Sequence, residues 1–236
     1  MPAPDTVGFL MGVYNEEKRI CECLDYHLPY FDEVVISVQK SEDKTLEICQ
    51  EYQAKSDKPF YILDKPKVGF SEMFLQEACD KLSTEWVLYC DADEKFPINF
   101  LKNMKPMLKY ETFYNGYRFP RHNYFDVQVF NDAVPIEPKV MRIRHPARDD
   151  QVRLTRRSMT IFPPQIHVRA RVRDESGDEK IKTLDYAMYH LKSLDEQWID
   201  NKAYVEPVKQ VERFEQAKKE ARAKGLPIDN IKLEDY

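Results

Sequence analysis

Three carboxylates follow directly after an apolar run in the stretch EWVLYCDADEKFP, which spans Glu85 to Pro97. In an extended backbone alternate side chains share a face, so Asp91 and Asp93 point together while Ala92 points away. Two close carboxylates favour a cation, and oxygen ligands suit a hard divalent ion such as Mg²⁺ or Mn²⁺ that keeps open positions for phosphate oxygens. Short acidic motifs also occur in ordinary solvated loops, so the position of this one in the fold decides between the two interpretations.

Four apolar strands alternate with helices over the first half of the chain. The strands are predicted, from apolar and β-branched runs bounded by turns, at Val7–Val13, Glu33–Gln39, Pro59–Asp64 and Glu85–Cys90. The helices are predicted from Ile20 up to Pro29, at Thr45–Ala54, and at Ser71–Leu82 with Ser71 as the N-cap. This alternation implies right-handed crossovers and a mostly parallel sheet that is covered on both faces.

Polar side chains follow the carboxyl ends of these strands, which is the edge where ligands bind in parallel α/β sheets. Besides Asp91 and Asp93, they include Asn15, Glu16 and Gln39. A buried strand that delivers Asp-Ala-Asp-Glu to this edge favours a metal–phosphate site over a solvated loop.

The second half of the chain has a different pattern. Residues Tyr114–Phe130 alternate aromatic and polar side chains in the manner of antiparallel strands, so we expect a mixed sheet. Beyond His190 the sequence is charged and strongly helical, ending near Gly225. The helix Ala203–Lys224 is predicted to pack as an amphipathic strap, because its apolar stripe is narrow, and a homodimer contact is the alternative.

The composition fits one large globular domain with an appendage: 236 residues, 42% hydrophobic and 33% charged. A net charge of −5 gives no global positive field, so we expect no nucleic-acid partner. Five cysteines without the density of a disulfide scaffold favour a reducing compartment, and Cys21 and Cys23 are more typical of helix positions than of a zinc site. The first apolar run is too short for a signal or transmembrane segment, so a cytoplasmic protein is expected.

The ordered motifs of this chain resemble glycosyltransferase family 2. The resemblance is carried by GVYNEEKRICECLDYHLPYFDEVVISVQKSEDKTLEIC, followed by WVLYCDADEKFP, and it covers most of the chain from Thr6 to about Tyr204. The segments GYRFPRHNYF, DDQVRLTRR, QIH and YHLKS are similar, in order, to the subgroup that contains lipopolysaccharide-core glucosyltransferases.

This resemblance implies an α/β fold of the GT-A type: a Rossmann-like, mostly parallel central sheet flanked by helices, with a mixed or antiparallel second half and a C-terminal helical extension. The glycosyltransferase domain would span residues 1–200, with a nucleotide-binding half at 1–97 and an acceptor-side half at 98–200. The extension would span residues 201–236.

The resemblance also implies a metal-dependent, inverting transfer of a sugar from a nucleoside-diphosphate sugar to a hydroxyl of a glycan or glycolipid. It implies a divalent ion, Mn²⁺ or Mg²⁺, at Asp93, with Asp91 facing the metal or the ribose. His190 matches a late histidine that completes the metal or diphosphate site, although a lone histidine is as commonly structural. Inverting transfer needs a base, for which Asp149 and Asp150 are the candidates, and two adjacent aspartates are equally typical of a charged turn.

The nucleotide-sugar pocket implied by the resemblance involves residues from both halves of the motif set. They are Val13, Tyr14, Asn15, Glu16, Gln39, Lys67, Gly69, Asp91, Ala92, Asp93 and Arg153. Arg153, with Arg156 and Arg157, would contact phosphates through guanidinium forks or would line a solvated strand face.

Two residues depart from the family pattern. Gln39 stands where relatives carry an aspartate that contacts the base, which leaves guanine and thymine nucleotides open beside uracil. Val168 follows His167 where relatives have a glutamate, which leaves the acceptor open. Four aromatic residues would form a stacking platform for the acceptor or belong to the sheet core: Tyr117, Phe119, Tyr124 and Phe125.

Two other function classes remain open. A catalytically inactive homologue that binds nucleotide-sugars or glycans is suggested by Gln39 and Val168. A sugar nucleotidyltransferase would also use paired carboxylates and Mg²⁺, but it normally needs a Gly-rich, basic phosphate loop, whereas Gly8 and Gly12 are separated by apolar residues. The mixed charges of the C-terminal helix do not favour membrane binding, although a lipid-linked acceptor would bring the protein to a membrane periphery.

Overall fold

Four parallel strands form the first half of a central sheet, as the sequence predicts. The computed structural model describes residues 3–68, 70–125, 150–164, 170–173, 180–192, 213 and 216–224, and of residues 123–125 and 192 the backbone alone. The first strands are β1 (Val7–Val13), β2 (Glu33–Gln39), β3 (Phe60–Lys65) and β4 (Trp86–Tyr89). They pair in the order β3-β2-β1-β4, all in parallel, so their carboxyl ends meet at one edge.

The second half of the sheet is mixed, which confirms that prediction. Its strands are β5 (Glu94–Lys95), β6 (Gly116–Phe125), β7 (Asp150–Arg156), β10 (Ile181–Thr183) and β11 (Met188–Lys192). β7 lies antiparallel between β4 and β6, β10 and β11 pair in parallel with β6, and β5 pairs antiparallel with β11. A separate antiparallel pair consists of β8 (Thr160–Ile161) and β9 (Arg171–Val172).

Helices cover both faces of the sheet. They are α1 (Ile20–His27), α2 (Thr45–Lys55), α3 (Leu75–Lys81) and α4 (Ile98–Leu108). In β1, Phe9 and Met11 face the core formed with α1 and α4, while Leu10 between them faces the core formed with α3. Because both faces are covered, every residue of β1 is buried and the strand is apolar without alternation.

Two helices differ from the sequence predictions. The predicted helix at Ser71–Leu82 begins as a 3₁₀ turn, Ser71–Phe74, and Ser71 is not the N-cap of α3, since the N-cap position is occupied by Phe74. Sequence reasoning proposed no helix at α4, which contains Pro106 and buries Phe100.

The structure describes only part of the predicted C-terminal helix. Residues 216–223 are helical, within the predicted helix Ala203–Lys224. Residue 213 is helical as well and residue 224 is a turn, while residues 203–212, 214 and 215 lie outside the described residues, as do the predictions for Gly69, Asp149, His167 and Val168. In the part of the chain that the structure describes, no helix is long and apolar enough to cross a membrane.

The loops after β1 and β2 are joined by hydrogen bonds at the carboxyl edge. Asn15 adopts a φ of 55°, a left-handed conformation that asparagine tolerates better than most residues. Its Oδ1 accepts from the Glu42 amide at 2.8 Å, and its own amide donates to the Ser41 hydroxyl at 3.1 Å. The Glu16 amide donates to Thr45 Oγ1 at 2.7 Å. These contacts fix the entrance to the predicted nucleotide pocket.

Asp43 accepts several of the hydrogen bonds that join these loops. Its Oδ2 accepts from the Glu17 amide at 3.1 Å, and its Oδ1 accepts from the Thr45 amide at 3.0 Å and from the Thr45 hydroxyl at 2.5 Å. Burial alone would raise the pKa of Asp43, but these hydrogen bonds outweigh burial and hold the pKa below its usual value.

We expect Asp43→Asn to lower the free energy of unfolding by about 1–2 kcal/mol at neutral pH, because one amide loses its acceptor and the remaining bonds lose their charge. Since the folded pKa is depressed, the stabilisation is complete above the unfolded pKa of about 4 and is lost as the pH falls through the folded pKa. Urea denaturation of both proteins across this range measures the difference.

Asp57→Asn, at an exposed aspartate between α2 and β3, is the matched control and should leave stability nearly unchanged. A difference between wild type and Asp43→Asn that stays constant as the solution is acidified would contradict the role of the carboxylate charge.

Candidate active site

The loop that follows β4 carries three acidic residues into three different environments. The side chain of Asp91 is 31% exposed, that of Asp93 is 9% exposed, and that of Glu94 is fully buried. We call residues 91–94 the acidic loop. Because β4 lies between β1 and β7, this loop emerges in the middle of the carboxyl edge of the sheet.

The structure brings Asp93 together with His190. β11 pairs antiparallel with β5, which sets His190 opposite Glu94, and the Leu191 amide donates to the Asp93 carbonyl at 2.7 Å. His190 Nε2 lies 3.1 Å from Asp93 Oδ2. Two ligand atoms that each lie about 2.1 Å from one ion at right angles are about 3 Å apart, so this pair fits a shared divalent ion. The nitrogen ligand suits Mn²⁺ better than Mg²⁺, which prefers oxygen.

Asp91 is bound by protein groups through both carboxylate oxygens. Its Oδ1 accepts from the Tyr89 hydroxyl, and its Oδ2 accepts from Arg153 Nη2 at 2.8 Å. The Asp91 amide donates to Glu94 Oε2 at 3.2 Å. Asp91 therefore stands in an ion pair, whereas the carboxylate of Asp93 faces the histidine.

A buried ion pair joins Arg153 to Glu94, the last residue of the acidic loop. Arg153 Nη2 is 2.5 Å from Glu94 Oε1, and the guanidinium lies over the Tyr89 ring, 4.4 Å from its centre. Burial raises the pKa of Glu94 to about 7, Arg153 opposes that rise, and Asp91 and Asp93 add to it. Burial alone would lower the pKa of Arg153, but Glu94 and Asp91 outweigh burial and hold it well above its usual value. Arg153 thus supplies the positive charge that lets these carboxylates share one loop.

A β-bulge aims the Arg153 side chain. In the ladder between β6 and β7, Leu154 pairs with Tyr117 and Val152 pairs with Arg118, so Arg153 is the extra residue. Leu154 and Val152 consequently pack in the cores on opposite faces of the sheet. Bulges commonly redirect a side chain beside a functional site.

Sequence reasoning assigned no role to Glu94. The sequence does indicate that a cation lies near Glu94. Three carboxylates within four residues after a buried strand need a nearby positive charge if all three are to be charged. The sequence does not identify Arg153 as that cation, since their contact depends on the pairing of β4 with β7.

The other two arginines proposed for phosphate binding lie at the opposite end of the sheet. Arg156 pairs with Trp86, the first residue of β4, and its Nη1 lies 2.6 Å from Glu85 Oε1. Arg157 Nε donates to the Thr84 carbonyl at 2.8 Å. The phosphate interpretation is wrong for both, because β7 runs antiparallel to β4 and carries its last residues away from the carboxyl edge.

Asp150, the first residue of β7, is a candidate for the base. It pairs with Pro120 on β6 and is 9% exposed. Its Oδ1 is buried and has no hydrogen-bond partner among the described residues. A buried polar atom without a partner is costly, and in native proteins it calls for an explanation such as a catalytic role or a bound water or ion.

Gln39 holds the segment after β3 against the end of β2. Its Oε1 accepts from the Val68 amide at 2.8 Å, and its Nε2 donates to the Phe70 carbonyl at 2.6 Å. The side chain is almost fully buried. The structure therefore commits this amide to the pocket wall, in the region where the sequence predicts contact with a base.

Lys67 links the same segment to the loops after β1 and β2. Its Nζ lies 2.7 Å from Glu42 Oε1 and 5.1 Å from the centre of the Tyr14 ring. Hydrogen bonds to Glu42 and Tyr14 raise the pKa of Lys67. Val13 is buried at the end of β1, and Ala92 packs partly buried against the core.

A cleft of about 480 Å³ opens beside the ends of β2 and β3. It is lined by Lys40, Ser41, Asp43, Leu46, Glu47, Asp64, Lys65 and Pro66. Its size is that of a small-molecule pocket, but none of the acidic-loop residues contributes to this lining. We assign the chemistry to the acidic loop, where charged side chains converge, and not to this cleft.

Two aromatic residues proposed as an acceptor platform belong to the core. Tyr117 is 1% exposed and packs on Trp86, and Phe119 is fully buried between Phe96 and Phe100. The platform prediction is wrong for both, because the Tyr117 ring packs against β4 and the Phe119 ring packs against α4 inside the core. The side chains of residues 124 and 125 lie outside the described part.

Comparison with solved structures supports the fold. S. aureus TarS 1-349 superposes with a TM-score of 0.51 at 19% identity, over 79% of this chain and 60% of that chain. TarS 1-349 in complex with UDP-GlcNAc gives a TM-score of 0.52 at 19% identity, over 79% of this chain and 58% of that chain. Identities this low establish the fold alone, and the chain spans less than two thirds of the length of these TarS structures.

Comparison with models of protein families identifies the family to which the chain belongs. No curated protein shows a significant match to the chain. The family model described as Glycosyl transferase family 2 matches residues 9–195, from β1 to the segment after β11. The chain therefore belongs to glycosyl transferase family 2, and its curled, mostly parallel sheet is that of the GT-A fold.

Proposed function

We propose that this protein is a metal-dependent, inverting glycosyltransferase that moves a hexose from a nucleoside-diphosphate sugar to a hydroxyl of a glycan or glycolipid. The observation that carries the proposal is the pair of Asp93 and His190, with 3.1 Å between Oδ2 and Nε2, at the carboxyl edge of the sheet. Family membership supports the reaction class. The complex of TarS with UDP-GlcNAc supports a nucleotide-sugar as the class of donor.

Asp93 and His190 would hold the divalent ion, and Asp91 would be a further ligand or a contact to the ribose. A bound Mn²⁺ or Mg²⁺ supplies Lewis acidity to the diphosphate, whose negative charge grows as its bond to the sugar breaks. The side chains of Asp93 and His190 are 9% and 11% exposed, so water screens their attraction for a cation only weakly.

Asp150 would act as the general base. In an inverting transfer the acceptor oxygen bonds to the anomeric carbon as the diphosphate leaves, and the acceptor proton passes to the base. The buried Oδ1 of Asp150, unpartnered within the described residues, is an acceptor for that proton. Asp149 remains the alternative base.

The nucleotide would lie along the loops that follow β1, β2 and β3. The residues proposed to shape this pocket are Val13, Tyr14, Asn15, Glu16, Gln39, Lys67, Gly69, Asp91, Ala92 and Asp93. The hydrogen bonds of Asn15 and Glu16 to the loop after β2 support a pre-formed pocket, which lowers the entropic cost of binding. Arg153 would act indirectly, by orienting Asp91.

The acceptor is proposed to be a glycan or glycolipid, in keeping with the ordered segments that resemble the subgroup containing lipopolysaccharide-core glucosyltransferases. We propose a cytoplasmic location, in keeping with five cysteines none of which forms a disulfide. The homodimer through the C-terminal helix remains the alternative to an intramolecular strap.

Neither competing function is favoured by a specific contact. A nucleotidyltransferase would need phosphate-binding backbone after β1, but Asn15 and Glu16 direct their amides to Ser41 and Thr45. An inactive binder would not need to keep the Oδ1 of Asp150 buried and without a partner among the described residues. Analysis of products separates the three functions, since only a transferase joins the sugar to an acceptor.

We expect Asp93→Ala to abolish Mn²⁺-dependent binding of a nucleoside diphosphate without unfolding the domain, because it removes the carboxylate that would share the ion with His190. The measurement is the thermal shift with UDP, GDP, dTDP and CMP, with and without Mn²⁺, since a ligand of the native state raises its apparent stability. Wild type should respond to one of these nucleotides.

Asp80→Ala, at an exposed aspartate on α3, is the matched control and should keep the wild-type shift. The site assignment fails if Asp93→Ala keeps the Mn²⁺-dependent shift, or if wild type shows none.

Asp150→Asn should separate chemistry from donor binding. We expect it to slow release of the nucleoside diphosphate, in the presence of a glycan or glycolipid mixture, by about 10²–10⁴-fold, which is the usual contribution of a general base. Its Mn²⁺-dependent thermal shift should match that of wild type. If Asp150→Asn keeps the wild-type rate of nucleoside diphosphate release and Asp149→Asn loses it, then Asp149 is the base and Asp150 is not.

A further inference from the structure

Two thiols and an imidazole converge directly beneath the acidic loop. Cys23 and His27 lie one turn apart on the same face of α1, and Cys90 follows the last residue of β4. All three are at most 1% exposed. One ligand atom from each, two Sγ and a ring nitrogen, lies within 4.8 Å of the other two. We call these residues the thiol–histidine cluster, and the proposed transfer reaction uses none of them.

The spacing between Cys23 and His27 matches that of two ligands of one tetrahedral ion. Zinc binds thiolate sulfur at about 2.3 Å and imidazole nitrogen at about 2.0–2.1 Å, which places the two ligand atoms about 3.5 Å apart. The distance from Cys23 Sγ to His27 Nδ1 is 3.5 Å. Sequence reasoning did not favour a zinc site at Cys23, because no second pair of cysteines lies near Cys21 and Cys23 in the sequence. The fold supplies the missing ligands from another turn of α1 and from β4.

The surroundings of the cluster show what an ion would replace. His27 Nδ1 lies 2.8 Å from the Cys23 carbonyl oxygen, and Nε2 lies 3.4 Å from the Phe96 amide nitrogen. The second contact is long for a hydrogen bond. The Asp91 carbonyl lies 3.3 Å from Cys90 Sγ and 3.9 Å from Cys23 Sγ, so it is an oxygen near both thiols. Bonds from zinc to two thiolates and an imidazole are strong enough to replace these contacts.

We infer that the thiol–histidine cluster is a structural site for Zn²⁺, separate from the pair of Asp93 and His190. Two thiolates balance the charge of the ion, and soft sulfur ligands select zinc over Mg²⁺ or Mn²⁺. Binding releases the two thiol protons to solvent and exchanges no electrons. Because the cluster is buried, the ion enters as the chain folds. It ties α1 to the residue that precedes Asp91, so it fixes the start of the acidic loop.

The test uses the full chain, folded in the presence of Co²⁺ as a spectroscopic substitute for Zn²⁺. We expect about one ion per chain and a thiolate-to-cobalt charge-transfer band of the intensity given by two thiolates. Cys23→Ser and Cys90→Ser should each lose the band and most of the bound zinc. Cys21→Ser, on the same helix, and Cys49→Ser, at a buried thiol of α2, are the matched controls and should keep both.

Three results would overturn the inference. The first is a wild-type protein whose spectrum lacks the charge-transfer band, and the second is a protein mass lower by two hydrogens, with Cys23 and Cys90 found joined in a disulfide. The third is a zinc content that falls in Asp93→Ala and is retained in the variants of Cys23 and Cys90. The wild-type spectrum decides even where a cysteine variant does not fold. Asp93→Ala should keep the band, so the outcome is independent of whether the proposed transferase site is correct.

Discussion

The buried ion pair of Arg153 with Glu94 is the interaction on which the candidate site depends. Three carboxylates within four residues repel one another, and burial of Glu94 increases that cost. Arg153 binds Glu94 and Asp91 together, which leaves Asp93 to face His190. Removing one member of a buried pair costs more than the pair contributes, because the other charge is then left uncompensated. The guanidinium of Arg153 therefore offsets much of the repulsion among the carboxylates of the acidic loop.

The topology of the sheet delivers that guanidinium and most of the other candidate groups. β7 lies antiparallel between β4 and β6, so its first residue, Asp150, is near the carboxyl edge, and a bulge turns Arg153 toward the acidic loop. β11 then carries His190 to Asp93 across 97 residues of sequence. The first half of the chain thus supplies the carboxylates and the loops proposed to bind the nucleotide, while the second half supplies the counter-charge, the histidine and the proposed base.

Sequence reasoning predicted the first half of the fold well. The bounds of β1 and β2 match those predicted, because strands buried on both faces give apolar runs that end sharply at polar loops. It missed α4, where Phe100, Met104 and Leu108 keep helical spacing but Pro106 disguises it. It did not foresee the contact of Arg153 with Glu94 or the cluster of Cys23 with Cys90. Both depend on which strands and helices lie side by side, and local patterns carry little information about that.

Pulsed electron paramagnetic resonance of Mn²⁺ bound to the full chain, with the nucleoside diphosphate that gives the largest thermal shift, tests directly whether Asp93 and His190 share a metal ion. If they do, the wild-type spectrum contains a nitrogen coupling from an imidazole ligand, and the spectrum of His190→Ala does not. Bound Mn²⁺ whose spectrum shows no nitrogen coupling in wild type, or a coupling that persists in His190→Ala, would contradict a site shared by Asp93 and His190.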